Sequence, residues 1–204
     1  MPRTRVLRVD AAAPAPEAIR DAAAVLRAGG LVAFPTETFY GLGAAGLDPA
    51  ATRRIFVAKG RPATMPLLLL VDSRAMVATV AVEVPPHAHE LMDRHWPGAL
   101  TLVLRATPRV PGVVTAGTGT VGVRMPAHAV ARALVQALGE PVTAPSANLT
   151  GAAAPVTAAD VLAQLGGVVD LVLDGGPTPG GMPSTVLDVT VDPPRVVRQG
   201  AVLV

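Results

Sequence analysis

Apolar residues run along this chain in two rhythms. Short, nearly unbroken apolar stretches bounded by glycine, proline or charge mark buried strands: LVAFP from Leu31, LLLLV from Leu67, LTLVLR from Leu100 and VGVRM from Val121. Residues 5–9, 168–173, 185–189 and 195–198 read the same way, with a further short strand at Val142. Between these runs the spacing becomes helical. Over residues 16–27, Ile19, Ala22, Ala23 and Leu26 recur on one face, and Gly29-Gly30 is the stop. Residues 127–138 repeat the pattern and end at Gly139. Cap residues place the other helices. Asp48-Pro49 starts one that runs to about Ala58, Ser73 one to about Val80, and the TAAD box at Thr157 one to about Leu165. Residues 86–96 add one more.

Strands and helices alternate, without a long linker, a repeat or a low-complexity boundary. Residues 1–204 therefore predict a single α/β domain, built on a twisted mixed sheet with flanking helices. The longest Gly/Pro loop, DGGPTPGGMPS at residues 174–184, reads either as a surface connection or as a flap beside a site.

Composition narrows the chemistry. Half of the residues are apolar but only 2% are aromatic, so the core must be built from Ala, Val and Leu. Cysteine is absent, which excludes disulfides, thiolate metal sites and a cysteine nucleophile. The N-terminus shows no signal-peptide core, and no apolar run approaches bilayer length, so a soluble cytoplasmic protein with no membrane contact is expected. Net charge is only +2 and no block of like charge occurs, so a strong nucleic-acid footprint is not evident.

The cations are biased. Lys59 is the only lysine among seventeen Lys and Arg residues. Asn148, Tyr40 and Trp96 are also single occurrences, and serine occurs three times. In a chain rich in Ala, Gly, Pro, Val and Arg, such rare residues are candidates for a chemical requirement, with chance as the alternative for any one of them.

Polar segments gather at the ends of the expected strands: PTETFYG after Leu31, AKGRP before Leu67, GTGTVGVRMP around Arg124, APSANLTG after Val142, MPSTVLDV from Met182, and RQG at Arg198. Hydroxyls, arginines and one lysine would thus surround one sheet. The set lacks a His-based triad, obvious paired carboxylates and a metal-ligand pattern for its four histidines. It suits anionic groups and hydroxyl recognition of a small substrate. One further motif competes. GLGAAG at residues 41–46 matches the G-x-G-x-x-G dinucleotide fingerprint, but TETFY separates it from its strand and the next helix starts only at Asp48. An NADP reading, with Lys59 and Arg61 at the 2′-phosphate, is the minor alternative.

The ordered set PTETFYGL, KGRP…PL, WPGALT, GTVGVRMP, APSANLTG, PSTVLD and RQG resembles the YrdC-like threonylcarbamoyl-AMP synthases over nearly the whole chain. Each motif alone is weak; the ordered set is specific. The resemblance implies a twisted α/β fold with a basic concave site, in the single-domain form. It implies condensation of L-threonine, bicarbonate and ATP into threonylcarbamoyl-adenylate and pyrophosphate. Magnesium would be held mainly through the ATP phosphates, with no protein metal site. Downstream tRNA-modification transferase proteins would take the product for threonylcarbamoyl-adenosine in tRNA, and weak RNA contact is possible in such a fold.

Residue by residue, the resemblance implies that Thr38, Arg124 and Ser184 meet threonine, Arg124 as the carboxylate clamp. It implies that Lys59, Arg61, Thr120, Ser146, Asn148 and Arg198 meet the nucleotide, with Lys59 and Arg61 as the catalytic pair. The chain departs from the family pattern at Met65, where Asn or His is usual, at Leu70, usually His, and at Ala154, usually Ser. Two rivals share the surface features. One is an RNA-binding module without synthase activity, though base-stacking aromatics are nearly missing. The other is a related carbamoyl-adenylate enzyme with another substrate.

Overall fold

The computed structural model describes residues 3–204. Its elements begin with β1 (Arg5–Arg8), α1 (Pro16–Arg27), β2 (Val32–Pro35), β3 (Tyr40–Gly43), α2 (Pro49–Lys59) and β4 (Leu68–Leu70). The middle of the chain forms α3 (Arg74–Val80), α4 (Pro86–His95), β5 (Leu100–Arg105), α5 (Gly112–Thr115), β6 (Thr120–Arg124) and α6 (Ala129–Leu138). The last part forms β7 (Val142–Thr143), α7 (Ala158–Leu165), β8 (Leu171–Asp174), β9 (Thr185–Asp188) and β10 (Arg195–Arg198).

Local chemistry sets these boundaries. The Asp48 carboxylate accepts from the backbone N–H of Ala50 at 2.7 Å and of Ala51 at 3.2 Å, and Pro49 follows at the first helical position. Gly60 closes the same helix in the left-handed conformation. That stop makes Lys59 the last residue of α2, where the sequence suggested a polar loop. The Thr157–Asp160 capping box starts α7 as expected.

The strands form two mixed sheets, where the sequence predicted one. The first has the order β1-β8-β2-β3 and the second β10-β9-β5-β6-β4-β7. Hydrophobic periodicity identifies strands but not their partners, so it could not separate the two. Alternation within the first sheet serves two cores. Val32, Phe34, Leu171 and Leu173 pack with α1 and α6, whereas Ala33 and Val172 join the core that holds Leu102 and Val123 of the second sheet.

The sheets meet where β3 runs beside β7. Thr143 donates its backbone N–H to Ala44 at 3.1 Å, Leu42 donates to Pro145 at 2.7 Å, and Ala147 donates to Tyr40 at 2.8 Å. This joint also explains GLGAAG. Gly41 and Gly43 lie within a strand, antiparallel to β2, and no helix opens there, so the dinucleotide reading fails. The glycines answer to close packing. A Cβ on Gly43 would sit 2.8 Å from the Phe34 ring and 2.9 Å from Val142, and one on Gly46 would sit 2.6 Å from the Pro141 carbonyl oxygen. Because that carbonyl is backbone and cannot swing away, Gly46→Ala should cost about 1–3 kcal/mol. The measurement is the urea midpoint; an unchanged midpoint would show that the joint yields freely.

Two smaller differences are local. The strand expected at residues 168–173 begins only at Leu171, because residues 168–170 complete the turn that leaves α7. The one-turn helix α5 is too short to carry a periodic signal.

Candidate active site

One face of the second sheet and the joint enclose a cavity of about 650 Å³. That lies within the roughly 300–1,000 Å³ usual for small-molecule sites. Its floor is apolar, from Leu68, Val103, Gly122, Val186 and Val197. Arg61, Arg124 and Arg198 stand around it with several hydroxyls, and no carboxylate or histidine lines it.

Arg124 ends β6, a central strand, and its side chain is only 5% exposed. Its Nε donates to the Gly98 carbonyl at 3.0 Å, and its Nη2 lies 2.6 Å from Oε1 of Glu37. The WPGALT segment therefore supports this arginine: Trp96 donates its indole N–H to Leu100 at 2.7 Å, and Gly98 turns its carbonyl to the guanidinium. Burial alone would raise the Glu37 pKa. The Arg124 charge and the Ala127 N–H outweigh it and hold the carboxyl below the usual carboxylate range.

Arg198 comes from the edge strand β10. It donates through Nη2 to the Ser184 carbonyl at 2.8 Å and to Ser184 Oγ at 3.0 Å. Ser184 Oγ in turn lies 3.0 Å from Thr101 Oγ1. Partial burial, followed by the nearby Arg124 charge, lowers the Arg198 pKa. Two guanidinium groups close enough to disfavour one another make a site that an anion relieves.

Lys59 is placed differently from its neighbours. Only 3% exposed, it does not line the cavity. Its Nζ donates to the Ser146 carbonyl, to the Asn148 carbonyl at 2.6 Å and to Asn148 Oδ1 at 3.1 Å. All three ammonium protons are thus engaged by one turn. Asn148 is buried behind the wall as well; its Oδ1 also accepts from Ser146 Oγ, and its Nδ2 donates to Ala152. Ser146 itself reaches the cavity. Burial, with Arg61 second, brings the Lys59 pKa down from 10.5 to about 8. Arg61 lines the cavity and braces its own loop through Met65 and Pro66, whose carbonyls accept at 3.2 and 2.8 Å.

Thr38 and Thr120 also line the cavity. Thr38 Oγ1 lies 3.0 Å from Thr36 Oγ1, and Thr120 Oγ1 lies 3.0 Å from Thr118 Oγ1. The 174–184 loop is tied to this end. Gly180 donates to the Thr38 carbonyl at 2.9 Å, and the Tyr40 hydroxyl donates to Gly176 at 2.7 Å. Burial and then Asp174 push the Tyr40 phenol up to about 12, which suits a permanent donor.

The structure therefore brings Thr38, Arg61, Thr120, Arg124, Ser146, Ser184 and Arg198 to one cavity, and sets Lys59 and Asn148 behind its wall. Thr36 and Thr101 were not singled out by sequence. A polar Thr101 inside an otherwise apolar strand was the available signal. Met65, Leu70 and Ala154, the three departures from the family pattern, all line the cavity. Among the described residues no cluster of three His, Cys, Asp or Glu side chains could hold a metal. No helix among them is long and apolar enough to cross a membrane.

Comparison with known proteins fits this geometry. The Sua5/YciO/YrdC family model, described as telomere recombination, matches residues 24–200. A curated threonylcarbamoyl-AMP synthase from Pyrococcus abyssi is 48% identical over 182 residues, covering 89% of this chain and 54% of its own length. The chain thus spans about half of that relative. The crystal structure of P. abyssi Sua5 complexed with L-threonine superposes with a TM-score of 0.94 at 46% identity, over 97% of this chain and 58% of that one. E. coli YciO superposes with a TM-score of 0.88 at 31% identity, over 97% of this chain and 96% of that one.

Proposed function

The chain belongs to the Sua5/YciO/YrdC family, and on that premise we propose that it forms L-threonylcarbamoyl-adenylate from L-threonine, bicarbonate and ATP. The observation that carries this reading is a single cavity with three arginines, many hydroxyls and no carboxylate in its wall. The reaction needs two anionic partners held together. The threonine amine and bicarbonate give a carbamate with loss of water. A carbamate oxygen then attacks the α-phosphorus of ATP and pyrophosphate leaves. No protein nucleophile is required, so alignment and charge neutralisation are what the site must supply.

The named groups divide that work. Arg124, rigid on a central strand, suits the planar amino-acid carboxylate. Arg61 and Arg198 suit phosphate oxygens, with the Ser146 and Thr120 hydroxyls beside them. Thr38 and Ser184, which line the same cavity, would meet the amino acid. Since the wall carries no carboxylate, magnesium would come with the ATP phosphates and neutralise their charge. The product is an acyl phosphate, reactive toward water. A transferase acting on adenosine in tRNA is therefore the consumer this reading implies.

Purified protein with ATP, magnesium, bicarbonate and L-threonine should release pyrophosphate, and omission of threonine should stop it. Release that is indifferent to the amino acid would reject the assignment. Arg124→Lys, which keeps charge but loses the planar fork, should raise KM for threonine about tenfold or more and leave KM for ATP nearly unchanged. Equal effects on both substrates would undo the division of roles.

A further inference from the structure

Glu37 lies outside the cavity wall, yet its carboxylate touches the residue on which amino-acid binding depends. Oε1 lies 2.6 Å from Arg124 Nη2 and accepts the Ala127 backbone N–H at 3.0 Å. The side chain is 19% exposed against 5% for its partner, so the pair is largely shielded from water. Among the described residues Glu37 is the only carboxylate paired with Arg124.

The rest of the surroundings make that pairing consequential. Arg198 stands close enough for the Arg124 charge to lower its pKa. Without Glu37, the guanidinium groups of Arg124 and Arg198 would line one cavity with only the Gly98 carbonyl and the Ser184 oxygens as their protein acceptors. Arg124 would then be a buried cation without a counter-ion, free to turn away from Arg198 about its single tether. With Glu37, Nε is held by its hydrogen bond to Gly98 and Nη2 by the ion pair, while the buried Nη2 and Glu37 Oε2 have no hydrogen-bond partner of their own. Among the described residues Nη1 has no protein acceptor, and Arg124 lines the cavity.

We infer that Glu37 is a positioning residue: its carboxylate, anchored to the Ala127 N–H beyond β6, locks the Arg124 guanidinium so that the remaining edge meets the amino-acid carboxylate. The inference rests on the proposed function. It also accounts for the order of residues in PTETFYG. The two threonines line the cavity, while the glutamate between them turns behind it to hold the arginine of a strand in the other sheet.

A double-mutant cycle tests it, with KM for L-threonine and for ATP measured by pyrophosphate release and L-threonine affinity by calorimetry. Glu37→Gln keeps the shape and an acceptor for Ala127 but removes the charge. It should weaken L-threonine by about tenfold or more and shift KM for ATP less than twofold. Because Glu37 acts through Arg124, adding Glu37→Gln to Arg124→Lys should cost almost nothing further. Additive losses, equal effects on ATP, or an unchanged threonine affinity would each overturn the inference. If Glu37→Gln does not fold, Glu37→Asp serves. One methylene shorter, it cannot keep both partners, so threonine affinity should fall with ATP affinity kept; no change would overturn the inference. A wild-type protein that binds no L-threonine would instead defeat the function on which the inference rests, and the inference with it.

Discussion

Lys59→Arg is expected to lose turnover by about a hundredfold, since a reacting group misplaced by about 1 Å can cost that much. Charge is conserved in this change; geometry is not. The ammonium is enclosed by three oxygens of residues 146–148, and the site is only 3% exposed. A planar head with two terminal nitrogens cannot enter that space without pushing the turn outward, and the Ser146 hydroxyl moves with the turn. The sequence alone, with Lys59 in a solvated loop, would leave the melting temperature untouched. The buried position changes that expectation: overpacking costs about 1–3 kcal/mol, and each kcal/mol is about 2–4 °C in a chain of this size. Lys59→Met supplies the complement. It fits the space but leaves the oxygens unpaired, and should lose turnover as well. Near wild-type turnover in both variants would show that the turn holds itself.

Alkaline pH should produce the same loss reversibly. With the Lys59 pKa near 8, kcat/KM for ATP should fall by about tenfold per pH unit above that value, because this parameter reports groups of the free enzyme. A neutral amine has two N–H bonds, one short of the three the turn takes. Stability should move the other way. The folded pKa lies below the unfolded one, so between about 8 and 10.5 the unfolded chain holds more protons, and the Lys59 contribution to stability rises with pH. Activity lost while this contribution grows separates a failing clamp from a failing fold. A kcat/KM flat to pH 10 would contradict the clamp.

Much of this was legible in the sequence. Caps and periodicity placed most elements, since Asp48-Pro49, Ser73 and TAAD each carry local backbone chemistry. What could not be read were long-range pairings. The two-sheet arrangement depends on β3 meeting β7, about a hundred residues later, and neither strand announces its partner. The site shows the same division. Arg124, Arg61 and Arg198 stand out as cations at strand and loop ends. The role of Glu37 depends on where the β2–β3 loop crosses β6, and the inward turn of Lys59 depends on a helix that runs one residue further than its apolar pattern.

The most direct measurement of the central proposal is incorporation of labelled bicarbonate into a nucleotide product, with and without L-threonine. The proposal predicts one labelled product that requires ATP, magnesium and threonine together and forms in step with pyrophosphate. Threonine-independent labelling, or pyrophosphate release with no label in the nucleotide, would contradict it.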